Sequence, residues 1–453
     1  MTVRVPEHER LSLGNGVALI LVPLRDVPLV AFSAVVRGGG LGDPSSRPGV
    51  ASLAAGLLEK GAGERNAYAF ADVVEGAGGS FGAGAGPEAI SVRGQFLARD
   101  QQLMLELLAD ALLRPLLEEE ELEDLAARHV ELIKAAKDSD PAELIGTYGR
   151  AFLFGSHPYG RPVFGSETSL ATIDRDDVRR YYDGQFGAER LILVLAGDID
   201  AHLLARMAAD SFSRWPRAPA LPPGLARPRG TSGRRVLLVD SPGSAQTYFW
   251  IGNVGVDKRY PRRAALDLVN TLFGGRFTSL LNTELRIKSG LSYGARSSFS
   301  RGSVPGEFSL RSFAQTENTG KALELALRTL DRLRRDGVSP EMLDSARAYT
   351  LGQYPLGLET AADWAAMLAE IEQYGLGKGY IDDYPAQLAA VGVAEAQAVI
   401  EEAFPAADSV AIVAIGDARR IRGAVGEYGP VTQMSLTDPE FSDGWTPGDE
   451  NRP

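Results

Sequence analysis

Apolar residues along the first half of the chain alternate between two spacings, which predicts strands interleaved with helices. Residues 17–22 form a β-branched apolar run after a turn dipeptide, and residues 28–37 alternate toward three glycines, so both read as strands. Residues 100–137 carry two stretches with helical spacing, and residues 191–196 return to an apolar strand. This mixture is typical of an α+β fold.

The same order of elements begins again in the second half. The apolar strand at 236–239 follows the strand at 18–21 by 218 residues, and Gly416-Asp417 follows Gly197-Asp198 by 219 residues. A constant offset at separate points predicts a tandem duplication of about 215–220 residues. We therefore expect two tandem homologous domains, each an antiparallel sheet packed with helices.

Composition shifts give the expected boundaries. Residues 1–213 form the N-terminal domain, and residues 214–233, rich in proline and arginine without apolar periodicity, form a linker. Residues 234–430 form the C-terminal domain. Residues 431–453 are polar and rich in turn residues, which predicts a loose tail.

Composition excludes several classes of chemistry. The 453 residues include no cysteine, which removes disulfides, thiolate metal sites and cysteine nucleophiles. With 47 basic and 59 acidic residues, the net charge of −12 argues against nucleic-acid and membrane-surface partners and favours basic peptides. No nucleophile elbow or dinucleotide fingerprint occurs.

Nothing in the sequence indicates a membrane protein, and the compartment stays open. No apolar run approaches the roughly 18–20 residues that a spanning helix needs. The first residues lack the basic-then-apolar pattern of a signal peptide. The sequence as given therefore reads as cytoplasmic, or as periplasmic if a signal peptide has been removed.

Metal and phosphate motifs are absent from the sequence. The four histidines, His8, His129, His157 and His202, are scattered, and no two lie within one helical turn. We expect His129 to be exposed on a charged helix and His157 to be structural. The glycine-rich stretch 76–87 lacks the Lys-Ser/Thr pair of a phosphate loop and reads as a turn or narrow strand.

The first predicted helix has an unusual second face. Its apolar stripe consists of Val50, Leu53, Ala54, Leu57 and Leu58. Ser52, Ala55 and Gly56 lie off that stripe, where a solvated face would carry charges. Two interpretations stay open: small residues that permit close packing, or a vestigial active-site face that lines a cavity.

A second helix with candidate chemistry follows two glycines in the second half. Its predicted apolar face consists of Phe277, Leu280, Leu281 and Leu285. Arg286 lies in its last turn, and Tyr293 lies seven residues further on, in a predicted strand. Taken alone, an arginine near a helix C-terminus and a tyrosine in a strand are ordinary.

Two long segments, 156–200 and 274–299, resemble the M16 metallopeptidases of the pitrilysin, insulin-degrading-enzyme and mitochondrial-processing-peptidase type. The resemblance runs from about residue 10 to 425, and the length resembles the two-domain M16B branch. It implies tandem α+β domains that form one half of a clam-shell around a peptide-binding chamber.

The resemblance also implies a zinc motif, His-x-x-Glu-His, on the first helix. Ser52, Ala55 and Gly56 stand at its three functional positions, and none of them can bind zinc or activate water. A further glutamate ligand of the family aligns with Ile133, two residues from Glu131. We therefore expect no metal in this chain and zinc in a partner subunit.

In the family, an arginine and a tyrosine spaced like Arg286 and Tyr293 contact the scissile peptide group. Such donors can polarise a carbonyl and stabilise its oxyanion. The resemblance thus implies a non-zinc-binding subunit of a heteromeric peptidase, inactive alone, that takes peptides or unfolded protein together with a zinc-motif M16B partner in a heterodimer. The alternative is a catalytically inactive structural or peptide-binding subunit, and the presence of both residues favours the first.

Overall fold

The computed structural model describes residues 3–219 and 224–442. Its strands are β1 Glu9–Ser12, β2 Ala18–Pro23, β3 Leu29–Arg37, β4 Gly61–Ala62, β5 Arg65–Asn66, β6 Ser80–Ala85, β7 Ala89–Leu97, β8 Leu191–Gly197, β9 Arg235–Asp240, β10 Gln246–Val254, β11 Ala295–Arg301, β12 Pro305–Gln315, β13 Ala411–Gly416 and β14 Val431–Ser435.

The α-helices are interleaved with these strands, and two π-helical turns lie at Thr271–Gly275 and Thr283–Lys288. The helices are α1 Val50–Leu57, α2 Ala67–Gly76, α3 Gln101–Leu113, α4 Glu119–Ser139, α5 Ile145–Phe154, α6 Glu167–Leu170, α7 Arg175–Gln185, α8 Ala201–Phe212, α9 Arg263–Asn270, α10 Leu280–Asn282, α11 Thr319–Asp336, α12 Pro340–Gln353, α13 Ala361–Tyr374, α14 Gly379–Asp382, α15 Tyr384–Ala390, α16 Val393–Ala403 and α17 Ala418–Gly426.

The chain forms two compact units, and each is discontinuous in sequence. The described residues of the first unit are 3–131, 162–219, 224 and 355–382. Those of the second are 132–161, 225–354 and 383–442. Helix α13 thus packs on β3 and β8 of the first unit, and α5 packs on β10 and β13 of the second. Helical periodicity shows which face of a helix is apolar but not which sheet it covers, so a sequential division could not anticipate this exchange.

The first unit contains a six-stranded sheet in the order β1-β2-β8-β3-β7-β6. The pairing of β2 with β8 is parallel, and the others are antiparallel. The central strands β3 and β8 are buried along almost their whole length. The glycine-rich stretch, read as a turn or narrow strand, provides the edge strand β6.

The second unit repeats this arrangement, with the order β11-β12-β10-β13-β9-β14. Its one internal parallel pair, β13 with β9, matches β8 with β2 of the first sheet. The repeated strand order agrees with the tandem duplication that the constant offset predicts, and both halves are sheet-plus-helix domains.

The outermost strand differs between the two sheets. In the first unit the chain start supplies β1, antiparallel to β2, whereas in the second unit residues 431–435 supply β14, parallel to β9. These residues belong to the segment that was expected to be a loose tail. Met434, Leu436 and Phe441 are buried, so part of that polar segment is anchored by a few apolar side chains. The remainder, residues 443–453, lies outside the described residues.

Helix α5 approaches the second sheet closely because of its glycines. A β-carbon on Gly149 would lie 2.6 Å from the indole ring of Trp250, which is fully buried on β10. A β-carbon on Gly146 would lie 2.6 Å from a guanidinium nitrogen of Arg311 on β12. The two glycines therefore let the helix rest on the sheet next to Arg311.

Within the described part of the chain, none of the helices has the length and apolarity needed to cross a bilayer.

Candidate functional site

The second unit contains an open cleft of about 690 Å³ beside the start of β11. The residues that line it are Ala142, Ile145, Tyr248, Gly274, Gly275, Arg276, Phe277, Asn282, Arg286, Tyr293, Gly294, Ala295, Arg296, Ser297, Arg311, Ser312, Phe313 and Tyr349. Both candidate residues of the second half, Arg286 and Tyr293, are among them.

The two π-helical turns shape the rim of this cleft. The first ends at Gly274 and Gly275, and a β-carbon on Gly274 would lie 2.5 Å from the backbone nitrogen of Ser297 on β11. Glycine is therefore needed for this close approach. The second turn carries Arg286. Single π-turns within helices are frequent at functional sites, and the apolar spacing of the sequence gives no sign of them.

Arg286 and Tyr293 are in direct contact. The guanidinium carbon lies 4.3 Å from the centre of the Tyr293 ring and 4.8 Å from that of Phe277. Tyr293 is 73% exposed and Phe277 is 60% exposed. Contact with two aromatic rings holds a cation over their electron-rich faces and limits the conformations of its side chain. The arginine is therefore oriented while the tyrosine hydroxyl stays accessible.

Two local expectations around this pair were wrong. Tyr293 lies in the bend before β11, which begins at Ala295, rather than inside a strand. Phe277 does not lie on the core face with Leu281 and Leu285, which are fully buried. Its ring instead contacts Arg286, because the chain at Phe277 has not yet entered the helix.

Buried Asn282, which no sequence pattern singles out, links two segments of the site. The side-chain amide of Asn282 donates to the carbonyl of Phe277 at 2.7 Å, and its oxygen accepts from the backbone N–H of Ala295 at 3.3 Å. Asn282 thus links the segment before the helix to the start of β11. The hydroxyl of Ser312 donates to Ser292 at 3.0 Å and fixes the bend that carries Tyr293.

Glu284, two residues before Arg286, is occupied by other cations. Its carboxylate accepts from Lys288 at 2.9 Å and from Arg332 at 3.1 Å. Burial opposes ionisation, but these two hydrogen bonds outweigh it and lower the pKa of Glu284. Glu284, the carboxylate nearest to Arg286 in sequence, therefore stays ionised. Because it is paired with Lys288 and Arg332, it does not neutralise Arg286.

The candidate zinc-motif positions lie on α1 in the first unit. The helix begins at Val50, and Asp43 holds its N-terminus by accepting from the backbone N–H groups of Gly49 at 2.8 Å and Ala51 at 2.7 Å. The N-cap residue, Gly49, has no side chain that could accept these bonds. A buried carboxylate seven residues before the helix supplies the missing acceptor.

The three motif positions differ in their surroundings. The predicted apolar stripe is fully buried, as expected. Ala55 is also fully buried, whereas Ser52 is half-buried. A β-carbon on Gly56 would lie 2.7 Å from a methyl of Leu125. The close-packing interpretation therefore accounts for Ala55 and Gly56.

The donor set on α1 does not fit a zinc ion. Methyl and hydrogen side chains at Ala55 and Gly56 offer no electron pair, and the hydroxyl of Ser52 alone cannot replace the imidazole and carboxylate ligands that zinc takes. Within the described residues, no group of three or more histidine, aspartate and glutamate side chains is arranged to hold a metal ion.

Two histidines have defined structural surroundings. His157 accepts from the backbone N–H of Tyr159 at 3.1 Å and its other nitrogen lies 3.0 Å from the carbonyl of Ala226, in keeping with a structural role. His129 was expected to be exposed, which is wrong: it is 8% exposed and stacks on Phe164 with ring centres 3.9 Å apart. Burial, with a smaller effect of Arg128, lowers the pKa of His129 to about 4.

We expect His129 to make the first unit acid-sensitive. Because the folded-state pKa lies below the ordinary value of about 6.5, the unfolded chain takes up a proton first as the pH falls. Stability is therefore fully present above about pH 6.5 and declines toward about pH 4. Allowing for partial solvent screening, the loss between about pH 7.5 and about pH 5 is about 1–2 kcal/mol.

Urea unfolding at several pH values measures this loss. His129→Gln should flatten the pH dependence by that amount, while the matched control His202→Gln, at an exposed histidine of the same unit, should keep the wild-type dependence. An unchanged pH profile in His129→Gln would show that the ring protonates freely in the folded state.

Two family profiles and several known proteins are similar to this chain. Residues 25–165 match the profile described as insulinase, peptidase family M16, and residues 172–349 match the one described as peptidase M16 inactive domain. A solved structure from Pseudomonas fluorescens, described as a peptidase M16 inactive domain, has a TM-score of 0.84 at 23% identity and covers 91% of this chain and 98% of its own.

Curated relatives carry two kinds of description. An uncharacterized zinc protease of Streptomyces coelicolor is 24% identical over 412 residues, 89% of each chain. A protein of Helicobacter pylori described as a non-peptidase homolog is 24% identical over 337 residues, 74% of this chain and 77% of its own. The two profile matches follow one another over residues 25–165 and 172–349, which lie in both sheet-plus-helix units, and they support membership of the M16 peptidase family.

Proposed function

We propose that this chain is the non-zinc-binding subunit of a heteromeric M16B peptidase. A partner chain supplies the zinc ion and the glutamate base, and this chain supplies Arg286, Tyr293 and half of a peptide-binding chamber. The observation that carries the proposal is the contact between half-buried Arg286 and exposed Tyr293 at a cleft, in a chain whose motif positions on α1 offer no metal ligands.

The chemistry expected of the pair follows from its donors. A guanidinium is always charged and offers several N–H groups, and a phenol offers one O–H. Both can hydrogen-bond a peptide carbonyl oxygen, and the bonds strengthen as negative charge develops on that oxygen. Neither residue can take a proton from water at neutral pH, so hydrolysis needs the base of the partner.

Phe277 and Asn282 act as positioning residues in this proposal. The guanidinium of Arg286 lies over the ring of Phe277, and Asn282 fixes the carbonyl of Phe277. Together they limit the positions that the guanidinium can take, which lowers the reorganisation needed in the transition state.

Mixing the chain with zinc-motif M16B chains of its own organism tests the proposal. We expect the chain alone to bind no stoichiometric zinc and to cleave no reporter peptide. The co-purified pair should contain one zinc per heterodimer and cleave. Zinc content is measured by mass spectrometry of the metal, and cleavage by fluorescence of a quenched peptide.

A second function, a subunit that binds peptides without catalysis, is favoured by the relative described as a non-peptidase homolog. It predicts stable pairing or peptide binding in which cleavage does not depend on this chain. Stoichiometric zinc and cleavage by the chain alone would contradict both functions.

A further inference from the structure

We propose that the cleft of the second unit selects peptide segments rich in carboxylates and binds them through its arginines. The inference rests on the proposed function in that it takes the cleft to be a peptide site. It replaces the expectation of basic substrates, which followed from the net charge of the whole chain.

The cleft is locally cationic in an acidic protein. Its lining includes Arg276, Arg286, Arg296 and Arg311, and the described residues that line it include no aspartate or glutamate. The chain as a whole carries a net charge of −12. A concave surface with one sign of charge concentrates ligands of the opposite sign, so the local field and not the net charge decides which peptides enter.

Two of these arginines oppose each other across neighbouring strands. Arg296 on β11 is directly paired with Arg311 on β12. Like charges placed directly opposite in an antiparallel pair destabilise the sheet. A bound carboxylate between them would turn this repulsion into attraction, and planar guanidinium groups suit carboxylates particularly well.

The surroundings of Arg311 strengthen this demand for an anion. Helix α5 lies against its guanidinium at Gly146. Desolvation lowers the pKa of Arg311, and the neighbouring cation Arg150 lowers it further, while Glu307 acts in the opposite direction. The charge of an anionic ligand would offset both the cost of desolvation and the repulsion from Arg150.

Three carboxylates near the cleft already have partners in this chain. Glu284 accepts hydrogen bonds from Lys288 and Arg332. Buried Glu307 lies 3.7 Å from Arg150, and Asp140, which lies near Tyr248, accepts from the backbone N–H of Ala142 at 3.2 Å. Arg276 donates to the carbonyl of Ser345 at 3.0 Å, a neutral partner that leaves its charge uncompensated.

The edge of β11 beside the cleft is occupied by this chain's own side chains. In the described sheet β11 pairs with β12 on one side only. On its other side the backbone N–H of Ala295 donates to Asn282 at 3.3 Å, and the carbonyl of Ser297 accepts from Asn270 at 3.3 Å. A peptide in the cleft is therefore held through its side chains, with carboxylates toward Arg296 and apolar residues against the neighbouring aromatic rings.

Equilibrium binding of designed peptides to the full chain, measured by fluorescence anisotropy, tests the inference. The probe is a ten-residue extended peptide with glutamate at alternate positions and both ends blocked. Its matched controls replace glutamate by glutamine or by lysine. We expect the glutamate peptide to bind about tenfold more tightly than the glutamine peptide at low salt and to lose that advantage at high salt.

The variants Arg296→Gln and Arg311→Gln locate the effect. Each should weaken binding of the glutamate peptide about five- to tenfold and leave the glutamine peptide unchanged. The control is Arg328→Gln, at an exposed arginine of α11 that does not line the cleft, and it should change neither. A peptide with glutamines and a free C-terminus separates terminal from side-chain carboxylates: binding equal to that of the glutamate peptide would assign the site to chain ends.

The outcomes separate the two proposals. The inference would be overturned if the glutamate, glutamine and lysine peptides bound equally, or if the preference for the glutamate peptide persisted in both arginine variants. The peptide site itself would still stand. No binding of any peptide at this cleft, by the chain or by its pair, would overturn the proposed function itself.

Discussion

Replacing Arg286 with glutamine should lower the turnover number of the paired enzyme by about 10²–10³, the usual effect of removing one donor from an oxyanion site. Glutamine keeps an N–H donor but loses the charge and cannot span the same distance. Because the donor acts mainly on the developing oxyanion, the loss should fall on kcat more than on KM. Steady-state cleavage of a quenched peptide by the purified pair measures both.

Two further variants make that result specific. Tyr293→Phe keeps the ring that contacts Arg286 and removes only the hydroxyl, so a large loss there would assign a direct role to the phenol. Arg328→Gln removes an exposed arginine that does not line the cleft and should leave turnover unchanged. Full activity of the Arg286→Gln pair, with the pair intact by gel filtration, would reduce this chain to a scaffold.

The sequence predicts which two residues form this pair better than it predicts the contacts around them. Arg286 and Tyr293 can be named from their spacing and from the resemblance to M16 peptidases. The surroundings of the pair cannot be predicted in this way: they include the contact of Phe277 with Arg286, the link through Asn282 and the π-helical turns. These features depend on contacts between separate segments whose residues do not follow regular helical spacing. A helical wheel assigns Phe277 to the core only because it assumes an unbroken helix.

A similar limit explains what the sequence reveals of the fold. Constant offsets predict two homologous sheets, because duplicated strands keep their apolar runs. The exchange of α5 and α13 between the halves leaves no such trace, since an apolar helix face packs equally well on either sheet. Strand β14 is missed for a different reason: an edge strand needs few apolar residues, and its burial comes mainly from Met434.

The second large effect that we expect is on stability, at Ala55, the middle one of the three positions on α1 that we expect to align with the zinc motif. Ala55→Glu should lower the free energy of unfolding by about 3–5 kcal/mol, because it places an unpaired carboxylate at a fully buried position. Ser52→Glu is the matched control, with the same side chain on the same helix at a half-buried position, and should cost about 1 kcal/mol or less. Urea unfolding of both variants gives the comparison.

The pH dependence of that loss identifies its cause. Burial raises the pKa of a glutamate in the folded state, so its penalty is largest at neutral pH and shrinks as the pH falls and the group becomes neutral. A purely steric penalty would not change with pH. If Ala55→Glu is instead as stable as Ser52→Glu, position 55 is open to solvent, and α1 still presents the face of an active site. A penalty that fades in acid would mean that this face has closed by packing, so that restoring the motif residues alone could not restore a zinc site.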